Sequence, residues 1–212
     1  MMKQLMLVLM VSACFQLNAQ QLFFEAFSGY NMTAYENVTG GNQGYVPLGF
    51  RVAGGLEHVQ IGGEYRRNIT NPSFQTLDSP FKTEYEETYY GALLRGNLST
   101  LPAYRFGLII KAGAGYYQGT EMTFENDVLI AENTIEFDKT FGWNAGLGIS
   151  APIASLVHWE IGYQYNAVSR EVPSSTGEKQ NFGYHSFQMG LSLNLVFGNT
   201  AKKCRRVISS RR

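Results

Sequence analysis

Cysteine is nearly absent from this chain of 212 residues, which holds Cys14 and Cys204 and no other. With an exported leader removed only Cys204 is left, which excludes the disulfide framework that staples many small secreted domains. Charge is scarce as well. Asp, Glu, Lys and Arg make up 16% of the residues, against about 25% in an ordinary soluble domain. No apolar run beyond the first 19 residues reaches the roughly 18 that a membrane helix needs. There are three histidines and no phosphate-cradling glycine loop, metal-spaced ligand cluster or nucleophile motif, so the residues call for no cofactor or metal. Helical periodicity fits nothing past the leader. What the chain has instead is aromatic residues at 14% and 23 glycines.

The opening "MMKQLMLVLMVSACFQLNAQQ" has one cation, an apolar centre and a small-residue exit at Ala19, the layout of a secretory signal peptide over residues 1–19. A competing reading takes "VSAC" as a lipoprotein box that acylates Cys14. The neutral total charge hides an asymmetry: residues 20–197 hold all 17 acids and 10 bases, a net of −7. The tail 198–212, "GNTAKKCRRVISSRR", is +6 and reads as a disordered periplasmic extension, with Cys204 a spare thiol.

Between leader and tail, eight segments alternate with period 2, so that each presents two different faces as a strand. Residues 104–117 set Tyr104, Phe106, Leu108, Ile110, Ala112, Ala114 and Tyr116 against Arg105, Gly107, Ile109, Lys111, Gly113, Gly115 and Tyr117. Segments 22–31, 46–53, 59–66, 87–95, 141–150, 157–167 and 186–197 do the same. Polar connections near 33–44, 67–84, 118–138 and 168–181 are long, and those near 54–58, 97–102 and 151–155 are short. Long and short by turns is the signature of an up-and-down barrel with one rim outside and one in the periplasm.

A soluble lipocalin-like barrel would also alternate, apolar inside and polar outside. The polar set decides against it, because in the sixth and eighth segments, 141–150 and 186–197, it offers Gly, Asn, Ser and Gln where a solvated surface would be rich in Lys and Glu. Small residues suit the crowded interior of an eight-stranded barrel. The apolar set carries no charge and gathers its aromatics toward strand ends, as lipid and its interfaces require. The expected fold is therefore all-β, an eight-stranded antiparallel up-and-down transmembrane β-barrel over residues 20–197. Its lumen set contains Glu25, Glu64, Glu87 and Glu160 with Arg51, Arg66, Arg95, Arg105 and Lys111. Such charges must pair in a narrow interior, which predicts an ion-paired, largely closed lumen rather than an ion-selective pore.

These segments resemble the OmpA/OmpX-type eight-stranded outer-membrane barrels, in the small form common in Bacteroidetes. The "LNAQQ" exit is similar to that group's processing sites. The last strand, "QMGLSLNLVF", resembles the terminal signal read by the barrel-assembly machinery, with Gln188, Gly190, Leu193, Leu195 and a closing Phe197. The basic tail departs from that pattern, since the terminal aromatic usually ends such chains. The resemblance implies a non-enzymatic, multi-pass protein of a Gram-negative outer membrane. Its partners would be outer-membrane lipid and lipopolysaccharide, the assembly machinery during biogenesis, and a protein contacting the surface loops. Nucleic acid is excluded by location.

Three readings of the activity stand beside a structural role: adhesion or binding through the long loops, a narrow channel, and a lipid-modifying enzyme. The enzyme reading needs a His/Ser pair on one face. His185 and Ser186 are adjacent and so point opposite ways. His158 and Glu160 share the lumen face, a spacing at which a carboxylate could orient an imidazole, but they sit near the short-loop end and one more lumen hydrogen bond is the simpler expectation. His58 lies in a short turn and reads as solvated. Glu125 and Asp127 lie in the acidic stretch 118–139, where a divalent cation could bridge them, although a solvated loop held open by its own charge is the simpler expectation. For the binding reading, "FQTLDSPFKTEYEETYY" at 74–90 is the best ordered-loop candidate. The Asn-x-Ser/Thr triplets at Asn31, Asn37, Asn68 and Asn97 are expected to stay unmodified.

Overall fold

The computed structural model describes residues 21–33, 44–56, 58–70, 73–75, 81–101, 106–130, 135–171 and 179–197. The expected leader with Cys14, the basic tail with Cys204, and Arg105 lie outside the described residues. One antiparallel sheet contains β1 (Gln21–Thr33), β2 (Gly44–Tyr45), β3 (Pro47–Gly55), β4 (Val59–Asn68), β5 (Ser73–Gln75), β6 (Phe81–Leu101), β7 (Phe106–Glu125), β8 (Val128–Leu129), β9 (Ile135–Pro152), β10 (Val157–Glu171) and β11 (Lys179–Val196). Eight of these, β1, β3, β4, β6, β7, β9, β10 and β11, form the wall in chain order. The sheet closes where β1 pairs with β11 from Gln21↔Val196 to Thr33↔Tyr184. The short strands β2, β5 and β8 extend neighbouring wall strands. Closure leaves no edge in the wall, so every strand finds its backbone partners without water.

Alternation decides the faces. Phe50 is 51% exposed while Arg51 beside it is 1%, and Met189 is 63% exposed while Gln188 is 7%. The exposed set is apolar on all eight wall strands. Tyr65, Tyr90, Tyr116 and Phe141 stand at matching register on β4, β6, β7 and β9, a row of rings whose centroids lie 6.1 and 6.0 Å apart from Tyr90 onward. Phe106 marks the other end of the apolar stripe on β7. The 11 residues from Phe106 to Tyr116 run about 33 Å along the strand at about 3.3 Å each. At a tilt of about 40° they stand about 25 Å tall, the height of the lipid-facing band of an outer-membrane barrel. Just beyond the row the outward charges begin, with the exposed Arg67 and Glu86 ion-paired to each other across β4 and β6.

The strands run further than the alternation showed, and this corrects the expected loops. Much of the stretch expected as loop at 118–138 is strand: β7 continues to Glu125, turns through Asn126 and Asp127, and returns as β8. Both turn residues have positive φ, 49° and 64°. Asn and Asp tolerate that conformation, and it is the one a two-residue hairpin needs. The expected loop at 67–84 likewise contains strand, at the end of β4, in β5 and from Phe81 onward. β5 pairs with the top of β6 at Phe74↔Thr83, and half of the 74–90 stretch is simply the outer part of β6. Solvent on both faces removes the hydrophobic alternation there, so the strands continue without a period-2 signal. The result is a wall that rises on the β6–β7–β9 side. At the opposite rim the turns are tight. Between β3 and β4, Gly55 has φ +157°, and a Cβ there would lie 2.4 Å from the Val59 carbonyl oxygen.

Candidate functional site

The lumen is filled in three layers. Phe23, Ala53 and Leu93 form an apolar plug at the short-turn end, and Tyr45, Tyr89, Tyr117, Val168 and Tyr184 form a second cluster at the outer end. Charged side chains lie between. The walls are unequal. β1, β3 and β4 supply Glu25, Arg51, Glu64 and Arg66, whereas the inward positions of β7 and β9 include Gly113, Gly115, Gly142, Gly146 and Gly148. Long side chains from one wall thus have room to cross toward the other. The fit is close. The Phe27 ring lies over Gly49, where a Cβ would come within 2.2 Å of it, and the Arg51 guanidinium stacks 3.7 Å above the same ring.

The charges form one alternating chain. Arg95 Nη2 donates to Glu160 Oε1 at 2.7 Å, and Lys111 Nζ lies 2.9 Å from Glu160 Oε2. Lys111 Nζ also donates to both oxygens of Glu25, at 3.0 and 2.9 Å. Arg51 Nη1 donates to Glu25 at 3.0 Å and its Nε to Glu64 at 2.7 Å, and Arg66 Nη1 reaches the other Glu64 oxygen at 3.3 Å. Four cations therefore alternate with three carboxylates. Glu87 joins through a hydroxyl: Arg66 Nη2 donates to Tyr184 OH at 2.7 Å, and Tyr184 OH donates to Glu87 at 3.1 Å. Neutral groups take up further donors, as Gln164 and Gln188 accept from Arg51 Nη2 at 3.0 and 2.6 Å, and Gln60 accepts from Arg95 Nη1 at 3.0 Å. Arg95 Nε is buried without a protein partner.

Local register explains half of this chain. Glu25, Arg51 and Glu64 are direct cross-strand partners on β1, β3 and β4, so minus, plus and minus stand side by side at the spacing where opposite charges stabilise a sheet. Lys111 and Arg95 instead come from β7 and β6 and cross the lumen. All these side chains are 3% exposed or less except Lys111 at 12%. Charges this buried must be paired and hydrogen-bonded to be tolerated. The space left between Glu25, Lys111, Glu160, Gln164, Gln188 and the facing glycines is about 10 Å³, room for about one water.

The tyrosine cluster was legible only in part. Parity places Tyr89 and Tyr117 on the lumen face, but nothing in the sequence marks them as the surround of one cation. Arg66 sits 5.0, 6.0 and 5.7 Å from the ring centroids of Tyr89, Tyr117 and Tyr184, distances at which aromatic faces attract it.

The enzyme candidates are dispersed. Ser186 is fully buried in the lumen and accepts from Gln188 Nε2 at 3.0 Å, while His185 is on the outer face, 2.5 Å from Tyr163 OH. His158 lies against Asn194, Nδ1 to Nδ2 at 3.0 Å, whereas Glu160 is held by Arg95, Lys111 and Ser192. Glu125 and Asp127 are at the exposed tip of the β7–β8 hairpin. Among the described residues no group of three or more His, Cys, Asp or Glu is arranged to hold a metal ion. In the last strand Gln188 and Gly190 point inward, and Leu193, Leu195 and Phe197 carry the outward parity.

A closed eight-stranded wall, an apolar exterior of bilayer height and a packed polar interior define the class: an eight-stranded antiparallel transmembrane β-barrel. Solved structures with this fold include Neisserial surface protein A, matched with a TM-score of 0.60 over 81% of this chain and 96% of that one at 12% identity. OprG from Pseudomonas aeruginosa gives 0.51 over 84% and 98% at 13% identity. A major outer membrane protein from Thermus thermophilus gives 0.52 over 82% and 99% at 9% identity. At such identities the likeness is one of fold alone. No family model matches the sequence, and no curated protein matches it either.

Proposed function

We propose that the chain is a non-enzymatic integral protein of a Gram-negative outer membrane, with a lumen that stays shut and a raised outer wall that faces the surroundings. Its leader is cleaved on export, and the segment from Gln188 to Phe197 hands it to the barrel-assembly machinery. The observation that carries the closed-lumen reading is the alternating chain from Arg95 to Arg66, with about 10 Å³ left beside it. The lumen charges neutralise one another, so none offers an ion a site to step onto. The test is planar-bilayer recording of the refolded, leader-free protein. Silence at neutral pH is expected, and steady unitary steps would sink the closed-lumen reading.

A second reading, binding by the raised wall, draws on exposed apolar residues at its tip: Phe81 at 46%, Val128 at 68% and Leu129 at 47%. Isolated exposed apolar residues are ordinary, but three at one tip above the membrane are a contact surface in waiting. Replacing Val128 and Leu129 with Ser should leave the barrel intact and abolish attachment of whole cells to a partner surface. Unchanged attachment would remove this reading.

A further inference from the structure

Of the three histidines, His158 lies against Asn194 on the lumen face and His58 sits in a short turn. His185 stands on the outer face of β11, followed along that face by Phe187 and Met189. Its surroundings are specific. On the β10 side Tyr165 is its partner in register and Tyr163 lies on the diagonal, with ring centroids 5.4 and 5.8 Å away. The Tyr163 hydroxyl meets His185 Nδ1 at 2.5 Å. On the β1 side its register partner is Met32, which is 49% exposed. Partners in register on one face have Cβ atoms about 4.5–5.5 Å apart, so a thioether and an imidazole there reach a common point. The two ring nitrogens point to opposite edges of the imidazole. With Nδ1 held on the β10 side, Nε2 is presented toward β1 and Met32. The place matters as well. Met32 is one residue from the end of β1, at the rim away from the tight turn, because β1 begins beside that turn at Gln21↔Gly55. Trp143 packs beyond Tyr165 at 5.8 Å. Rings of this kind gather at the membrane–water interface, which puts the pair within reach of dissolved ions.

We propose that His185 Nε2 and Met32 Sδ together bind one soft monovalent metal ion, of the chemistry of Cu(I). The donor set selects the metal. A thioether is a soft ligand that favours Cu(I), and imidazole suits copper, whereas Mg, Ca and Mn prefer oxygen ligands that this pair lacks. Tyr163 acts as a positioning residue. In the ligating tautomer Nδ1–H donates to the Tyr163 oxygen, which fixes the ring and leaves the Nε2 lone pair for the metal. The ligand pair stands on register and hydrogen bonding alone; that its ion comes from outside the cell rests on the outer-membrane reading above.

Silver(I), a redox-inert stand-in for Cu(I), is the probe. The leader-free protein with Cys204→Ser, which removes the remaining thiol, would be refolded in phosphatidylcholine vesicles. It would be titrated in chloride-free nitrate buffer, with free silver read by a silver-selective electrode. One ion per folded chain is expected. Met32→Leu and His185→Phe should each weaken binding by more than about tenfold, and Tyr163→Phe by about 10–100-fold with the stoichiometry kept. Met122→Leu and Met189→Leu, at the other methionines past the leader, should leave it unchanged. Zinc(II) in excess should not displace the silver. An affinity untouched by Met32→Leu or by His185→Phe overturns the proposal, and so does displacement by zinc. Heat-dependent gel mobility counts the folded chains in each sample, so failure of the membrane reading is seen separately. If a ligand variant does not fold, methionine-methyl NMR spectra of the parent decide. Silver should then shift the Met32 signal, and movement of Met122 or Met189 alone refutes the site.

Discussion

Replacing Arg51 by Met tests the lumen chain at the cation with most partners. Arg51 donates to two carboxylates and two amide oxygens, and its side chain has no exposure to solvent. Met keeps much of the volume and contact with the Phe27 ring, so the loss is mainly electrostatic. Breaking a buried ion pair by removing one partner costs about 3–5 kcal/mol. Here each orphaned carboxylate retains a second cation, Lys111 for Glu25 and Arg66 for Glu64, which favours the lower end. Leaving the Gln164 and Gln188 oxygens without that donor adds about 1 kcal/mol each. The sum is a loss of about 5 kcal/mol. Urea titration of the leader-free protein in lipid vesicles, followed by heat-dependent gel mobility and tryptophan emission, measures it through the shift in midpoint and the slope. Glu64→Gln should recover part of the loss when combined with Arg51→Met, because it removes one of the two carboxylates that lost a cation. A control on the outside, Arg67→Ala, breaks an exposed pair with Glu86 and should cost less than about 0.5 kcal/mol. If Arg51→Met unfolds within about 1 kcal/mol of the parent, the interior is wetter or looser than the ion distances require, and the argument for a closed lumen fails with it.

The exterior and the outer cluster make two further demands. Leu147→Arg puts a cation near the middle of the apolar stripe on β9, where Leu147 is 58% exposed, and should cost about 2–4 kcal/mol in the same vesicle assay. A cost near zero would mean that this face meets water. Tyr184→Phe removes the hydroxyl that links Arg66 to Glu87. It should destabilise by about 1–3 kcal/mol, as a charged donor and an acceptor each lose a buried partner; no change in the urea midpoint would show that solvent already serves both groups.

Much of this protein was decided by the sequence alone, through a local rule. Side chains alternate along any strand, so the face of each described residue in the eight segments followed from parity. Arg51 had to share a surface with Ala53 and Gly49, and Phe50 with Leu48 and Val52. The same parity separated His185 from Ser186. Where both faces meet water the rule has no purchase, which is why the outer parts of β6 and β7 read as loops. The turn at Asn126–Asp127 was the one local sign of a hairpin there. Partner choice inside the barrel belongs to the tertiary structure. Parity shows that Lys111 points inward, but not that it reaches Glu25 on a strand 86 residues away, nor that Arg66 ends among the rings of Tyr89, Tyr117 and Tyr184. Those contacts depend on where β1 closes on β11 and on the stagger of all eight strands, which sets the height of each side chain across the lumen. Stagger is a property of the closed sheet, so no single strand contains it.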